Sequence, residues 1–402
     1  MRRFFVAGTL LPLFLATFVL ADNSSYTNTP TGSGMVIDLG TTDYGYNDTD
    51  LNNLTAGSVI NARNATWRFN NTVHAVPWAD DPVAVGGCAD PAAADPLPKN
   101  SYPLDIGTSD VWLQGGTILG QVSWLADWSH HYCNSAALVF DHPPTAAGVE
   151  GIRIDHPWDA IRFATYNSDL NATMTVRHVW VSNNLDDGIE NDNLRNIMVE
   201  DSLFDNQGPS FLSMRPGPTY DGGSRRMTHT ATVRNTLVSF REYISVTNGE
   251  GWRPRLIKGS TEMPRIIMDG VVMALPYFPN ALEGSWGQTW SAIADGGQCS
   301  TSTNWFLWTS DTPLPWLDPA TDQNWPYYAT GANTQDQCQA NPSLEGCVPV
   351  PPCFSVKTGR AAREHWTTAK AAWIREHSDL PRIGTRTLPD GTVVPADPPG
   401  RQ

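Results

Sequence analysis

Four carboxylate side chains crowd into residues 186–192 of this 402-residue chain: Asp186, Asp187, Glu190 and Asp192. Carboxylates placed this close together can bind a divalent cation through their oxygen atoms, or they can serve as the acid and base of a hydrolytic reaction. The sequence therefore offers two chemistries for the same cluster.

In the first chemistry, Asp187, Glu190 and Asp192 are the ligands of a Ca²⁺ ion, a hard cation that prefers oxygen. The ion would bind a carboxylate of a uronate sugar and acidify the neighbouring C–H bond. A base would then remove that proton in a β-elimination, the reaction of a polysaccharide lyase.

Three basic residues are candidates for that base: Lys258, Arg215 and Arg255. A basic side chain accepts a proton only when its neighbours lower its pKa, and a bound metal ion nearby could do so.

In the second chemistry, two of the same carboxyl groups act as acid and base in glycoside hydrolysis. Carboxyl groups on neighbouring coils of a parallel stack could lie close together, as in enzymes where one of them is the nucleophile. They could also lie further apart, as in enzymes where a water molecule fits between them.

Four more residues are candidates for binding the substrate: Arg162, Asp186, Glu242 and His229. A row in which carboxylates alternate with guanidinium groups is what the binding of a charged polymer requires. The structural alternative is that Asp and Asn simply occupy the corners of a β-solenoid, where their short side chains suit turns.

The elements that position these residues are short strands in a repeat. When the sequence is laid over itself so that Arg177 falls on Arg195, Val181 also falls on Val199 and Asp187 on Asp205. β-Branched residues alternate with polar ones throughout. A self-match at a spacing of about 20 residues, with this alternation, is typical of a solenoid of short strands.

Four turn-and-strand segments align on one apolar position each, namely Ile161, Ile189, Phe211 and Ile244, which we expect to point inward. The alignment then points Arg162 and Glu190 outward, with Asp159 and Asp187 at the preceding turns. Equivalent residues of successive coils should lie about 4.8 Å apart in columns.

Residues 105–280, with this repeat pattern, resemble the right-handed parallel β-helix group, the pectate-lyase-like proteins. Asp186-Asp187 resembles the double-Asp motif of the polygalacturonase branch, and Arg255-Leu-Ile-Lys258 loosely resembles its Arg-Ile-Lys motif. That branch's Asn-Thr-Asp and Gly-His-Gly motifs are missing. Trp252-Arg-Pro-Arg255 is a fragment of the Arg-X-Pro-X-X-Arg motif of pectate lyases.

The predicted fold class is all-β: a right-handed parallel β-helix with a loop-rich, disulfide-stapled C-terminal segment and one C-terminal helix. Residues 1–21 are predicted to be a signal peptide cleaved after Ala21, 22–104 an N-terminal extension with the first coils, and 105–280 the β-helix. Residues 281–358 are rich in Trp, Pro and Cys, and 359–402 form a helix that could cap the solenoid, followed by a flexible tail.

In an exported protein the six cysteines suggest three disulfides, and Asn-X-Ser/Thr sequons suggest glycans in a eukaryotic host.

A formal net charge of −15 argues against nucleic acid as a partner, because binding phosphates requires a basic face. No stretch after the signal peptide is long and apolar enough to cross a membrane.

We therefore expect a monomeric, secreted enzyme acting on an extracellular polysaccharide, with cleavage of an acidic polymer by β-elimination as the leading interpretation. A glycoside hydrolase and a non-catalytic glycan-binding or adhesion protein are the alternatives.

Overall fold

A computed structural model describes residues 34–70, 100, 102–108, 110–122, 136–141, 146–164, 173–216, 222–223, 225, 228–241, 243–244, 251–252, 255–259, 262–276, 298–299, 303–312, 354–389 and 391–398. The described chain forms three stacked parallel sheets, two small antiparallel pairs and one helix. The predicted signal peptide lies outside these residues, as do five of the six cysteines and therefore the predicted disulfides.

Sheet A has nine strands: β1 (Val36–Asp38), β4 (Val59–Asn61), β7 (Val111–Gln114), β10 (Ala146–Glu150), β13 (Thr173–Arg177), β16 (Asn196–Glu200), β19 (Thr230–Arg234), β24 (Arg265–Asp269) and β26 (Gln298–Cys299). Sheet B has ten strands: β2 (Asp43–Gly45), β5 (Thr66–Phe69), β8 (Thr117–Gly120), β11 (Arg153–Asp155), β14 (Trp180–Ser182), β17 (Leu203–Gln207), β20 (Leu237–Phe240), β25 (Val272–Leu275), β27 (Asn304–Trp308) and β28 (Phe354–Thr358). Sheet C has seven strands: β3 (Thr49–Asp50), β6 (Leu104–Ile106), β9 (Ala136–Asp141), β12 (Asp159–Ala164), β15 (Asp187–Glu190), β18 (Ser210–Met214) and β23 (Arg255–Gly259).

From β1 to β20 the chain visits sheets A, B and C in turn and then returns to A, one coil later. Every strand pair within these sheets is parallel, as a parallel β-helix requires. The short strands β21 (Tyr243–Ile244) and β22 (Gly251–Trp252) interrupt the cycle as an antiparallel pair, and β23 resumes it. The last antiparallel pair is β29 (Arg386–Thr387) with β30 (Val393–Val394).

Alternate residues of all three sheets point into one apolar core. In sheet C the register places in one inward column Leu104, Leu138, Ile161, Ile189, Leu212 and Ile257. Every member of that column is fully buried. Apolar burial of this extent is the main stabilising contribution to such a fold.

The register corrects two predictions from the sequence. The match of Arg177 with Arg195 is not the coil repeat, because Arg177 pairs with Glu200 and Trp180 with Leu203. Ile189 pairs with Leu212 and not with Phe211, while Ile244 belongs to the antiparallel pair and not to sheet C.

The corner between sheets A and B recurs in one conformation. The residue two places before a sheet-B strand has a positive φ in six coils, at Gly115, Gly151, His178, Asp201, Asn235 and Gly270. Gly adopts this left-handed region freely, and Asn, Asp and His are enriched there among the other residues, which explains the residue types at this corner.

A second corner, between sheets B and C, carries a side-chain ladder. The Asn206 amide donates to Asn183 Oδ1 at 3.3 Å, across one coil repeat of 23 residues. The Asn183 amide donates in turn to Asp155 Oδ1 at 2.9 Å. These short polar side chains are therefore bonded to one another from coil to coil at this corner.

The helix α1 (Gly359–Glu376) packs on the outer face of sheet B. That face is apolar: Trp180, Leu203, Leu237, Val272 and Leu307 form a cluster with the helix residues Ala362, Trp373 and Ile374. The sequence predicted the helix, but it placed the helix at an open end of the solenoid.

The segment after α1 is packed as well, contrary to the predicted flexible tail. Leu380, Ile383 and Leu388 are buried. The guanidinium of Arg153 is 3.0 Å from both carboxylate oxygens of Asp397, so residues 378–398 continue along the coils that α1 begins to cover. Within the described residues, no helix combines the length and apolar character needed to cross a bilayer.

Candidate functional site

A row of polar side chains crosses the outer face of sheet C at one register position. Arg162 on β12 pairs with Glu190 on β15, Glu190 with Ser213 on β18, and Ser213 with Lys258 on β23. Because neighbouring parallel strands are about 4.8 Å apart, the row spans four coils. The alternation that buries Ile161 and Ile189 thus turns these polar residues outward.

The first contact of the row is a two-point ion pair. Arg162 Nε lies 2.7 Å from Glu190 Oε2, and Arg162 Nη2 lies 2.8 Å from Glu190 Oε1. The two side chains are 9% and 12% exposed. Burial lowers the pKa of Arg162, but Glu190, Tyr102 and Asp159 together raise it well above its ordinary value.

The second contact joins Lys258 to Asp187, whose side chains are 19% and 3% exposed. Lys258 Nζ lies 2.8 Å from Asp187 Oδ2. Burial disfavours the ammonium form, but Asp187, Asp186 and Asp192 together hold the pKa of Lys258 well above its ordinary value. Lys258 is therefore a fixed cation at neutral pH, which makes it a poor proton acceptor.

Asp187 of this pair also belongs to a group of three buried carboxyl groups. Asp159, Asp186 and Asp187 each place a carboxylate oxygen within 4.8 Å of the others. Asp159 Oδ1 accepts a hydrogen bond from the backbone N–H of Asp187 at 2.9 Å. Burial raises the pKa of Asp159 well above its ordinary value, and repulsion from Asp186, Glu190 and Asp187 raises it further.

One oxygen of this group has no direct partner among the described residues. Asp187 Oδ1 is buried and accepts no hydrogen bond from any of them. A buried carboxylate oxygen is costly without a partner, so this atom calls for a shared proton, a water molecule or a cation.

Asp192 lies beside the row, two residues after Glu190, the last residue of β15. Its Oδ1 accepts from Ser213 Oγ at 2.6 Å and from the backbone N–H of Arg215 at 3.2 Å. Burial and the charge of Glu190 raise the pKa of Asp192 to about 7, although Lys258 lowers it. Asp192 is therefore a carboxyl group that keeps its proton in a large share of the molecules at neutral pH.

The remaining candidates are spread more widely. Arg255 lies on β23 beside Ser210, which pairs with Asp187, so Arg255 borders the same row. The side chain of Arg215 is exposed directly after β18. His229 lies before β19 of sheet A, where its Nδ1 is 2.8 Å from Thr228 Oγ1. Glu242 lies outside the described residues.

Sequence analysis noted Asp159 only as a turn residue and did not include it in the site. A signal was present, because Asp159 occupies the same place before Ile161 that Asp187 occupies before Ile189. Its proximity to Asp186 depends on the corner geometry, which no pattern in the sequence shows.

The chain matches no protein-family model, and searches of the curated proteins and of the solved structures found no match. The predicted resemblance to the pectate-lyase-like group therefore rests on the coil architecture: parallel strands in stacked parallel sheets.

Proposed function

We propose that this protein is a secreted polysaccharide-active enzyme with a right-handed, pectate-lyase-like β-helix, and that it hydrolyses glycosidic bonds along the outer face of sheet C. Asp192 is the general acid in this proposal. The raised pKa of Asp192 carries the proposal, because a carboxyl group that keeps its proton near neutral pH can protonate a leaving oxygen.

Glu190 is the partner carboxylate in the proposal. Its charge is stabilised by the two-point contact with Arg162, and it is more exposed than Asp187. Asp192 keeps its proton largely because of burial, whereas Glu190 contacts a guanidinium group. Glycosidases commonly use two carboxyl groups in such different environments, one as the acid and the other as the nucleophile or base. The row spans four coils, which is a length suited to a chain of sugars rather than a single one.

The geometry favours hydrolysis over the β-elimination that leads the sequence-based interpretation. Elimination would need a base, and the pKa of Lys258 is held well above its ordinary value by the surrounding carboxylates. The basic side chains Arg162 and Lys258 also contact carboxylates of the protein itself, which leaves them less suited to hold a substrate carboxylate.

β-Elimination with Ca²⁺ is the second candidate, and a specific observation favours it. The oxygens of Asp159, Asp186 and Asp187 lie close together, and Asp187 Oδ1 accepts no hydrogen bond from the described residues. These three residues fit a hard cation better than the predicted set of Asp187, Glu190 and Asp192, because Glu190 contacts Arg162.

The test is a panel of neutral and uronate-containing polysaccharides incubated with the full chain, with and without a chelator. New reducing ends should appear without the ultraviolet absorbance of an unsaturated product, and chelation should not change the rate. Asp192→Asn and Glu190→Gln should remove activity, whereas Glu200→Gln, on sheet A, should retain it.

Two outcomes would contradict hydrolysis. An unsaturated product that disappears with chelator would establish the calcium-dependent lyase instead. Binding of a polymer without any cleavage would mark the protein as a glycan-binding or adhesion module.

A further inference from the structure

Two histidines and an aspartate meet where the C-terminal segment crosses the A–B corner, away from sheet C. His178 and Asp201 occupy the same corner position on successive coils, with φ of 54° and 46°. His377 directly follows α1 and is buried against them. The two histidine rings are 4.5 Å apart between centroids.

One ring nitrogen of each histidine points at Asp201. His377 Nε2 lies 2.9 Å from Asp201 Oδ1, and His178 Nδ1 lies 3.7 Å from Asp201 Oδ2. One candidate ligand atom from each of the three residues lies within 4.8 Å of the others, a separation that a single metal ion can bridge.

The opposite nitrogen of each ring faces an acceptor. His377 Nδ1 is 2.7 Å from the backbone oxygen of Trp373, and His178 Nε2 is 3.1 Å from Asp379 Oδ2. Each of these outer nitrogens must therefore carry a hydrogen, which in a neutral ring leaves the lone pair on the nitrogen that faces Asp201. Metal-ligating histidines have this arrangement, with the outer N–H held by a carboxylate or a backbone carbonyl.

We propose that His178 Nδ1, His377 Nε2 and an oxygen of Asp201 bind a divalent transition metal, with Zn²⁺ the best fit. Imidazole and carboxylate are common zinc ligands, and three protein ligands completed by water form a frequent zinc set. Asp379 and the carbonyl of Trp373 orient the two rings. The side chain of Asp201 is 40% exposed, which gives an ion a route from solvent.

This site would tie the C-terminal segment to the coils. His178 and Asp201 belong to the stack, while His377 lies 176 residues beyond Asp201 and begins the segment that runs on to Asp397. A bound ion would therefore restrain the end of α1 and the residues that follow, independently of any reaction on sheet C.

The experiment uses the full chain without a histidine tag, stripped with chelator and dialysed against Zn²⁺. Metal content, calorimetric affinity, and hydrogen exchange of residues 377–389 are measured on the wild type and on three variants, His178→Asn, Asp201→Asn and His377→Gln. Asn tolerates the left-handed backbone at residues 178 and 201, so these two changes preserve the corner. His365→Gln is the matched control, because His365 lies on α1, which His377 directly follows, but contacts Lys357.

One Zn²⁺ should be retained per chain in the wild type and in His365→Gln, and each of the three variants should lose it. Zn²⁺ should slow hydrogen exchange at residues 377–389 only in the proteins that retain it. Asp379→Asn, which removes an orienting carboxylate, should weaken the affinity by about tenfold to a hundredfold. Absence of stoichiometric Zn²⁺ from the wild type, or equal loss from His365→Gln, would overturn the proposal and leave a His–Asp contact that binds no metal.

Discussion

Lys258 Nζ lies 2.8 Å from Asp187 Oδ2, although 71 residues separate the two along the chain. Their strands are not neighbours, because β18 lies between β15 and β23. The two β18 residues at these register positions are Ser210 and Ser213, both small and fully buried. Lysine is long enough to reach across the strand over such residues, so the contact depends on the small side chains between.

Replacement of Lys258 by Met tests this ion pair. Asp187 would remain buried without its counter-charge, and breaking a buried pair in this way costs about 3–5 kcal/mol of unfolding free energy. Urea unfolding at neutral pH would measure the loss. Arg360→Ala, which removes an exposed pair on α1, should cause no measurable change. A Lys258→Met protein as stable as wild type would mean that the carboxyl cluster does not depend on the lysine.

Asp192 predicts a specific dependence of stability on pH. Its pKa is raised to about 7 in the folded protein, against about 3.9 in an unfolded chain. The folded state therefore binds more protons than the unfolded state between these values, so this group's contribution is complete below about pH 4 and is lost as the pH rises through 7. Asp192→Asn should flatten the decline in unfolding free energy between pH 4 and pH 7. An unchanged slope in this variant would place the pKa of Asp192 near its ordinary value.

The alternation of apolar and polar residues was sufficient to predict parallel coils and an outward Glu190. It was not sufficient for register, because side chains alternate with a period of two in every strand. The predicted repeat laid Val181 of sheet B over Val199 of sheet A, since strands of different sheets share the same alternation. The true partner of Val199 on the preceding coil is Val176.

Sequence reasoning failed where a residue's partner is set by the three-dimensional path of the chain. Residues 243–244 look like a sheet-C strand because Ile244 continues the apolar pattern, yet they pair with Gly251–Trp252. The strand that completes sheet C is Arg255–Gly259, which was not among the four segments aligned from the sequence. Hydrophobic pattern alone cannot choose between two such segments, because both satisfy it.

The outer face of sheet B gives a prediction about α1. Trp373 is 6% exposed and packs edge-on to Trp180, with ring centroids 6.3 Å apart. Trp373→Ala would leave a cavity between helix and sheet and should lower the unfolding free energy by about 3–5 kcal/mol. Arg375→Ala, an exposed change on the same helix, is the control. If urea unfolding shows equal stability for the two variants, α1 contributes little to holding the fold.

The pair of Arg153 and Asp397 gives a prediction about the C-terminal segment. The Arg153 side chain is 2% exposed, its Cζ lies 4.3 Å from the centroid of the Trp180 ring, and its Nη2 lies 3.0 Å from Asp397 Oδ1. Asp397→Asn keeps the shape but removes the charge that neutralises this buried guanidinium. We expect a loss of about 2 kcal/mol, below the usual cost of a broken buried pair because Arg153 also contacts Ile154 O and Asp155.

Hydrogen exchange locates that effect. Residues 380–398 should exchange faster in Asp397→Asn while α1 stays protected, because the helix has its own apolar contacts with sheet B. Asp311→Asn is the matched control, since Asp311 also pairs with an arginine, Arg363, but both side chains are exposed. Equal protection of residues 380–398 in the two variants would show that the apolar contacts of Leu380, Ile383 and Leu388, and not the ion pair, hold the segment against the coils.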